Sequence, residues 1–358
     1  MVFVAAIAEV AAELSADPTA TGFGRYLALF LPIAWAWAGF TFYATRFDTD
    51  DLVYRVLTLL GMFAVAGVAS AVPDALHGGQ NRFAVTYVLV RVILIALYAR
   101  AYRAVPAARS LAAWFMLMFG VAVVCWLVSL AVPTPWKYLL WALALGFEYT
   151  APVRAWRMMR ARPIHPAHIP ERFGLLVIIV LGEAVIAVVL GTATVNWSTL
   201  TAAAAFAGFL CAAAVWWLYF DFLDASVVSR NVLSGMTFVY VHYFVIAGIA
   251  ALGVGVKLTI LEAGPGSRYE DVGWIAAGGT AMCMAALAIV QLATPPALLD
   301  LDVALRLAVS AIAAVLALLS GVLSPVLVLW LLAAVLAVQV VVELAGHEEH
   351  AGAARVPI

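Results

Sequence analysis

Residues 171–191, ERFGLLVIIVLGEAVIAVVLG, decide the class of this chain. A helix needs about 20 mostly apolar residues to cross the roughly 30 Å hydrocarbon core of a bilayer. This stretch supplies 21, and the thirteenth of them is Glu183. Its length points to a membrane span. Its central carboxylate raises the question of function, because an ionised group at that depth is expensive.

The same reading extends over nearly the whole chain. Apolar residues make up 66% of the 358 and charged residues 11%, against roughly 25% charged in a soluble domain. Apolar runs bounded by Pro, Gly or charge predict twelve spans, at 1–14, 23–45, 52–72, 82–103, 109–131, 136–153, 171–191, 197–220, 235–256, 272–292, 303–320 and 324–344. The expected fold is an all-α, polytopic transmembrane helical bundle. Its first span is too short to cross, so either it only dips into the membrane or the chain as given starts inside a helix, the second being expected. A net charge of −1 with scattered basic residues gives no electrostatic support for a nucleic-acid partner. Cys125, Cys211 and Cys283 lie inside apolar runs at no metal-ligand spacing, and read as small buried hydrophobes.

Orientation follows from Lys and Arg. Thirteen of them fall in the even-numbered loops and C-terminal tail, from Arg46 to Arg355. Five fall in the odd-numbered loops: Arg25, Arg82, Lys137, Lys257 and Arg268. The bias places both termini in the cytoplasm, and the Arg-rich stretch 154–172 in a central cytoplasmic loop.

A shift of 174 residues brings Glu9 onto Glu183, Asp50 onto Asp224, Gly61 onto Gly235 and Met62 onto Met236. This predicts a parallel repeat of six spans plus six, with one half at 1–160 and the other at 161–358. Halves with an even number of spans are related by an axis normal to the membrane.

Three motifs carry a resemblance. They are Glu171-Arg172-Phe173-Gly174-Leu175-Leu176-Val177-Ile178-Ile179-Val180-Leu181-Gly182-Glu183, Trp216-Trp217-Leu218-Tyr219-Phe220-Asp221, and Phe42-Tyr43-Ala44-Thr45-Arg46-Phe47-Asp48-Thr49-Asp50-Asp51. Together they resemble the bacterial low-temperature requirement protein A family across nearly the whole chain. The resemblance implies a multipass membrane protein of the bacterial cytoplasmic membrane. It does not imply a reaction.

Candidate site residues follow from charge at depth. Glu183, and Glu9 through the repeat, read as proton- or cation-binding groups, against the plainer reading of neutral carboxyls acting as packing glue. Arg91 stands mid-span and needs an anionic partner, for which Glu183 or Glu9 is expected. Glu148 reads as an interfacial partner of Arg154. His242 reads as a proton relay or, more simply, as a neutral hydrogen-bonded ring. Asp48, Asp50, Asp221 and Asp224 flank aromatic runs at the headgroup level and read as a cytoplasmic mouth or a weak cation site, with helix capping the plainer reading for Asp50, while Asp51 reads as a helix cap. The pairs His165/His168 and His347/His350 read as incidental polar loops. No metal site and no cofactor are expected.

These residues predict a proton- or ion-coupled secondary transporter or permease moving a small solute or ion, and a homo-oligomer is allowed. One alternative is a membrane-embedded lipid-modifying enzyme using the cytoplasmic acids. Another is a non-catalytic membrane-stress or scaffold protein.

Overall fold

A computed structural model describes residues 2–47, 50–160, 168–193, 195–221, 232–263, 272–293 and 299–353. The described residues form helices and short connections, with no strand among them. In chain order the helices are α1 (Val2–Ala16), α2 (Ala20–Arg46), α3 (Leu52–Ala71), α4 (Gln80–Ala104), α5 (Arg109–Ser129), α6 (Trp136–Arg154), the short α7 (Trp156–Arg160), α8 (His168–Ala193), α9 (Thr199–Phe220), α10 (Val232–Glu262), α11 (Gly273–Leu292), α12 (Leu301–Leu318) and α13 (Pro325–Ala353).

Among the described residues, ten helices are long and apolar enough to cross a membrane, where twelve spans were expected. The two that fall short do so for different reasons. The 15 residues of α1 rise only about 22 Å at 1.5 Å each. The 19 residues of α6 have the length, but Lys137 and Glu148 interrupt their apolar run.

Several starts are written in the sequence. Asp51, Ser198 and Asp300 stand just before α3, α9 and α12, and each side chain accepts the backbone N–H three residues on, at 2.9, 3.1 and 2.9 Å. Such caps satisfy amides that the first helical turn leaves without partners.

The chain divides into two compact units. Unit 1 comprises Met1–Glu13 and Ala20–Arg172, and unit 2 comprises Leu14–Thr19 and Phe173–Ile358. In unit 1, α3 to α6 pack each on the next, and α2 packs on α4. The outer helix α3 leaves Leu52, Leu59, Leu60 and Phe63 exposed, as a lipid-facing surface should. In unit 2, α10 is the core helix, buried over 83% of its most apolar stretch, with α9, α11 and α13 around it. Its seam with α11 depends on glycine. A Cβ at Gly248 would lie 2.6 Å from the Gly279 carbonyl oxygen, and one at Gly279 would lie 2.7 Å from that of Gly248. Small residues at such seams let backbones approach where lipid offers no hydrophobic drive between helices.

Candidate functional site

Arg91 is the twelfth of 25 residues in α4, about 17 Å from one helix end and about 20 Å from the other at 1.5 Å per residue. Glu148 is the thirteenth of 19 in α6. Both side chains are fully buried, and Arg91 Nη2 lies 2.6 Å from Glu148 Oε2. The expected partner, Glu183 or Glu9, is therefore replaced by a carboxylate that the sequence reading had assigned to the interface. The cause is geometric. Pro152 and Arg154 made the end of α6 look near, but Glu148 lies on the buried face with Trp141, Ala144 and Ala151, at intervals of three, four and seven residues.

The guanidinium is held on several sides. Nη2 also donates to the Tyr87 hydroxyl, which in turn donates to the Pro32 carbonyl of α2 at 3.2 Å. The rings of Tyr87 and Phe119 lie 4.7 and 5.5 Å from the guanidinium carbon, within cation–π range. Trp35 borders the Glu148 carboxylate and stacks on Tyr149 at 4.5 Å between ring centres. Gly39 of α2 gives this cluster its room, since a Cβ there would meet Leu94 at 2.7 Å and Arg91 Nη1 at 3.6 Å. The Nε and Nη1 donors of Arg91 are buried and make no hydrogen bond among the described residues.

Aromatic layers close both sides of the pair. Toward the start of α4, Tyr87, Trp126, Trp141 and Phe83 pack at ring separations of 4.6 to 5.5 Å. Toward its end, Phe119, Phe115, Tyr98 and Tyr43 form a chain of contacts at 5.8, 5.2 and 5.3 Å.

The remaining candidates are dispersed. Glu183 is half-buried on α8, beside Ala184, which packs on Gly253 of α10. Glu9 is exposed on α1. His242 is fully buried on α10, with Nδ1 2.8 Å from the Phe238 carbonyl and Nε2 3.1 Å from the Tyr219 hydroxyl. A carbonyl only accepts, so Nδ1 carries the proton and Nε2 is left to accept from Tyr219. The ring is satisfied in its neutral form.

Of the cytoplasmic acids, Asp48 and Asp224 lie outside the described residues. Asp50 is exposed and chelated by Arg55, with contacts of 2.8 and 2.7 Å. These hydrogen bonds first, and the Arg55 charge second, hold its carboxyl below the usual carboxylate range. Asp51 pairs with Arg100 as well as capping α3. Asp221 is exposed at the end of α9. His165 also lies outside the described residues, and His168 meets Glu171 at 3.7 Å. Among the described residues, no group of three or more His, Cys, Asp or Glu side chains could hold a metal ion.

Sequence reasoning also passed over two residues in unit 2. Arg306 was counted with the loops, yet it is fully buried, and so is Glu343 of α13. The run Val340-Val341-Val342-Glu343-Leu344 is a signal that was available.

Comparison with known proteins agrees with the three motifs. Residues 1–342 match the family described as "Bacterial low temperature requirement A protein (LtrA)". An uncharacterized protein of Rhizobium meliloti (strain 1021) is 29% identical over 278 residues, which is 71% of this chain. The match covers 66% of that relative, slightly under two thirds of its length. An almost full-length family match, an all-helical fold and ten membrane-length apolar helices agree: the chain is a multipass membrane protein belonging to the bacterial low temperature requirement A protein (LtrA) family.

Proposed function

We propose that this protein is a proton- or ion-coupled permease of the bacterial cytoplasmic membrane, with Arg91 and Glu148 as its central charge-compensated site. The observation that carries this reading is the fully buried ion pair at mid-span, 2.6 Å apart, with two guanidinium donors left over. Burying such a pair is a poor way to gain stability, because apolar side chains of similar size usually do as well or better. Ionisable groups inside a membrane mark ion or proton paths by default.

In this mechanism Glu148 neutralises Arg91 while the site is closed. Proton uptake by Glu148 releases the guanidinium, and its Nε and Nη1 donors turn to an anionic group of the solute. The aromatic layers on either side act as the two gates. Glu183, half-buried at mid-helix, is a second ion-binding group, and Glu9 is its counterpart. Twelve spans in two parallel halves, 1–160 and 161–358, with both termini cytoplasmic, complete the proposed architecture. Asp48, Asp50, Asp221 and Asp224 stand at its cytoplasmic mouth, and His242 holds a helix seam.

The test is flux in liposomes, followed with an entrapped pH-sensitive dye under an imposed pH gradient. The native protein should dissipate the gradient, Glu148→Gln should abolish dissipation, and Glu183→Gln should weaken it. Undiminished flux in Glu148→Gln would remove the role assigned to the pair.

A further inference from the structure

Unit 2 holds a second buried ion pair with different surroundings. Arg306 Nη2 lies 3.5 Å from Glu343 Oε2, and neither side chain is more than marginally exposed. Around it stands a row of polar side chains. The Arg306 Nη1 donates to Gln291 Oε1, and Gln291 Nε2 is 3.3 Å from each carboxylate oxygen of Asp300. On the inner side, Gln339 Nε2 donates to Glu343 Oε1 at 2.7 Å. Gln339 itself is buried, and its Oε1 accepts no hydrogen bond from the described residues.

Position along the helices gives this row a direction. Arg306 is the sixth residue of α12, about 8 Å from the helix start at 1.5 Å per residue. Gln291 is the last residue but one of α11, and Asp300 caps α12 while its other contacts are exposed. The row therefore runs inward from an exposed carboxylate at the helix ends. It passes through an amide and a guanidinium to a buried carboxylate, and ends at a buried acceptor. A guanidinium placed between two carboxylates can favour either one, and protonating the inner one shifts it outward.

We propose that Glu343 is a proton-binding carboxylate, separate from Arg91 and Glu148, which takes up a proton from water as Arg306, itself always protonated, swings off it toward Gln291 and Asp300. With Glu343 ionised, Arg306 is shared between Glu343 and Gln291. When Glu343 takes up a proton its O–H becomes a donor, for which Gln339 Oε1 is the adjacent acceptor after the amide rotates. Arg306 then moves toward Gln291 and Asp300. No bond other than O–H forms or breaks, and the proton comes from bulk water.

The titratable and charged groups facing the site from each packed element are few. From α12 there are Arg306 and, at the helix start, Asp300 and Asp302, the latter four residues before Arg306. From α11, Cys283 lies within electrostatic reach of Arg306 and also of Tyr219 on α9. The Tyr219 hydroxyl in turn meets His242 of α10. The inference stands whether or not unit 1 conducts.

The test is infrared difference spectroscopy of the full chain in lipid, titrated with acid in water and in heavy water. The native protein should show a protonated-carboxyl band that appears on acidification and shifts in heavy water. Glu343→Gln should lose one component of that band, and Glu148→Gln should keep that component. Asp300→Asn should keep the band but slow its exchange into heavy water about tenfold, equivalent to about 1.4 kcal/mol of barrier. A band with every component intact in Glu343→Gln overturns the proposal, as does a Glu343 component that responds to sodium or potassium at fixed pH instead of to acid. Should Glu343→Gln not fold, an unchanged exchange rate in Asp300→Asn overturns it equally.

Discussion

Two buried arginines, one in each unit, are handled in opposite ways. Arg91 sits at mid-helix among Tyr87, Phe119, Trp126 and Trp35, 2.6 Å from its carboxylate, with aromatic layers on both sides. Arg306 sits less than two turns from a helix start, 3.5 Å from Glu343, among amide side chains that reach an exposed Asp300. Rings enclose the first charge and offer it the Tyr87 hydroxyl and their own faces beside the carboxylate. Amides pass the hydrogen bonds of the second along. The first arrangement suits a closed site that changes only when its gates move, and the second suits steady exchange with water.

That contrast sets the largest expected effect. Arg91→Ala strands Glu148 among rings, and removing one member of a buried pair costs about 3–5 kcal/mol. Arg306→Ala leaves Glu343 with Gln339 and leaves Gln291 with Asp300, so its cost should be no more than about half of that range. Unfolding of both variants in the same detergent measures the difference, and equal losses would dissolve the distinction. The glycine seam comes next. Gly279→Ala would press a methyl against the Gly248 carbonyl, and overpacking of this kind costs about 1–3 kcal/mol. Gly120→Ala and Gly146→Ala, with open space around them, should be neutral in the same assay.

A smaller effect separates packing histidines from working ones. Tyr219→Phe removes the hydroxyl that His242 Nε2 uses, and should lower stability by about 1 kcal/mol with flux unchanged. Lost flux would make His242 part of the conduction path. The smallest effect is at Asp50. Its carboxyl is held low by Arg55, so this contact stabilises the fold above the ordinary carboxylate range and is lost as the pH falls through the lowered value. The stability of native protein and Asp50→Asn should therefore differ at neutral pH and converge in acid. A gap that persists in acid would assign the contact some other origin.

Much of this architecture is legible in sequence because lipid leaves so few options. Apolar runs of about 20 residues can only be helices there, and Asp51 marks a helix start that the structure keeps. The site was harder to read. Glu183 stood out for its central place in the most apolar run, but the packing of α8 leaves it half-buried. Glu148 sat in a run diluted by Lys137, Tyr149 and Pro152, which disguised a buried helix as an interfacial one. Arg306 looked like a loop residue because Asp300 and Asp302 precede it closely. Periodicity shows which face a residue occupies, but not which neighbouring helix that face meets.

The most direct test replaces the central pair by apolar side chains of similar size, Arg91→Met with Glu148→Leu, and measures folding and flux on the same preparation. The double variant should be at least as stable as the native chain and should no longer dissipate a pH gradient in liposomes. A stable double variant with native flux would contradict this, and would make the pair a feature of packing alone.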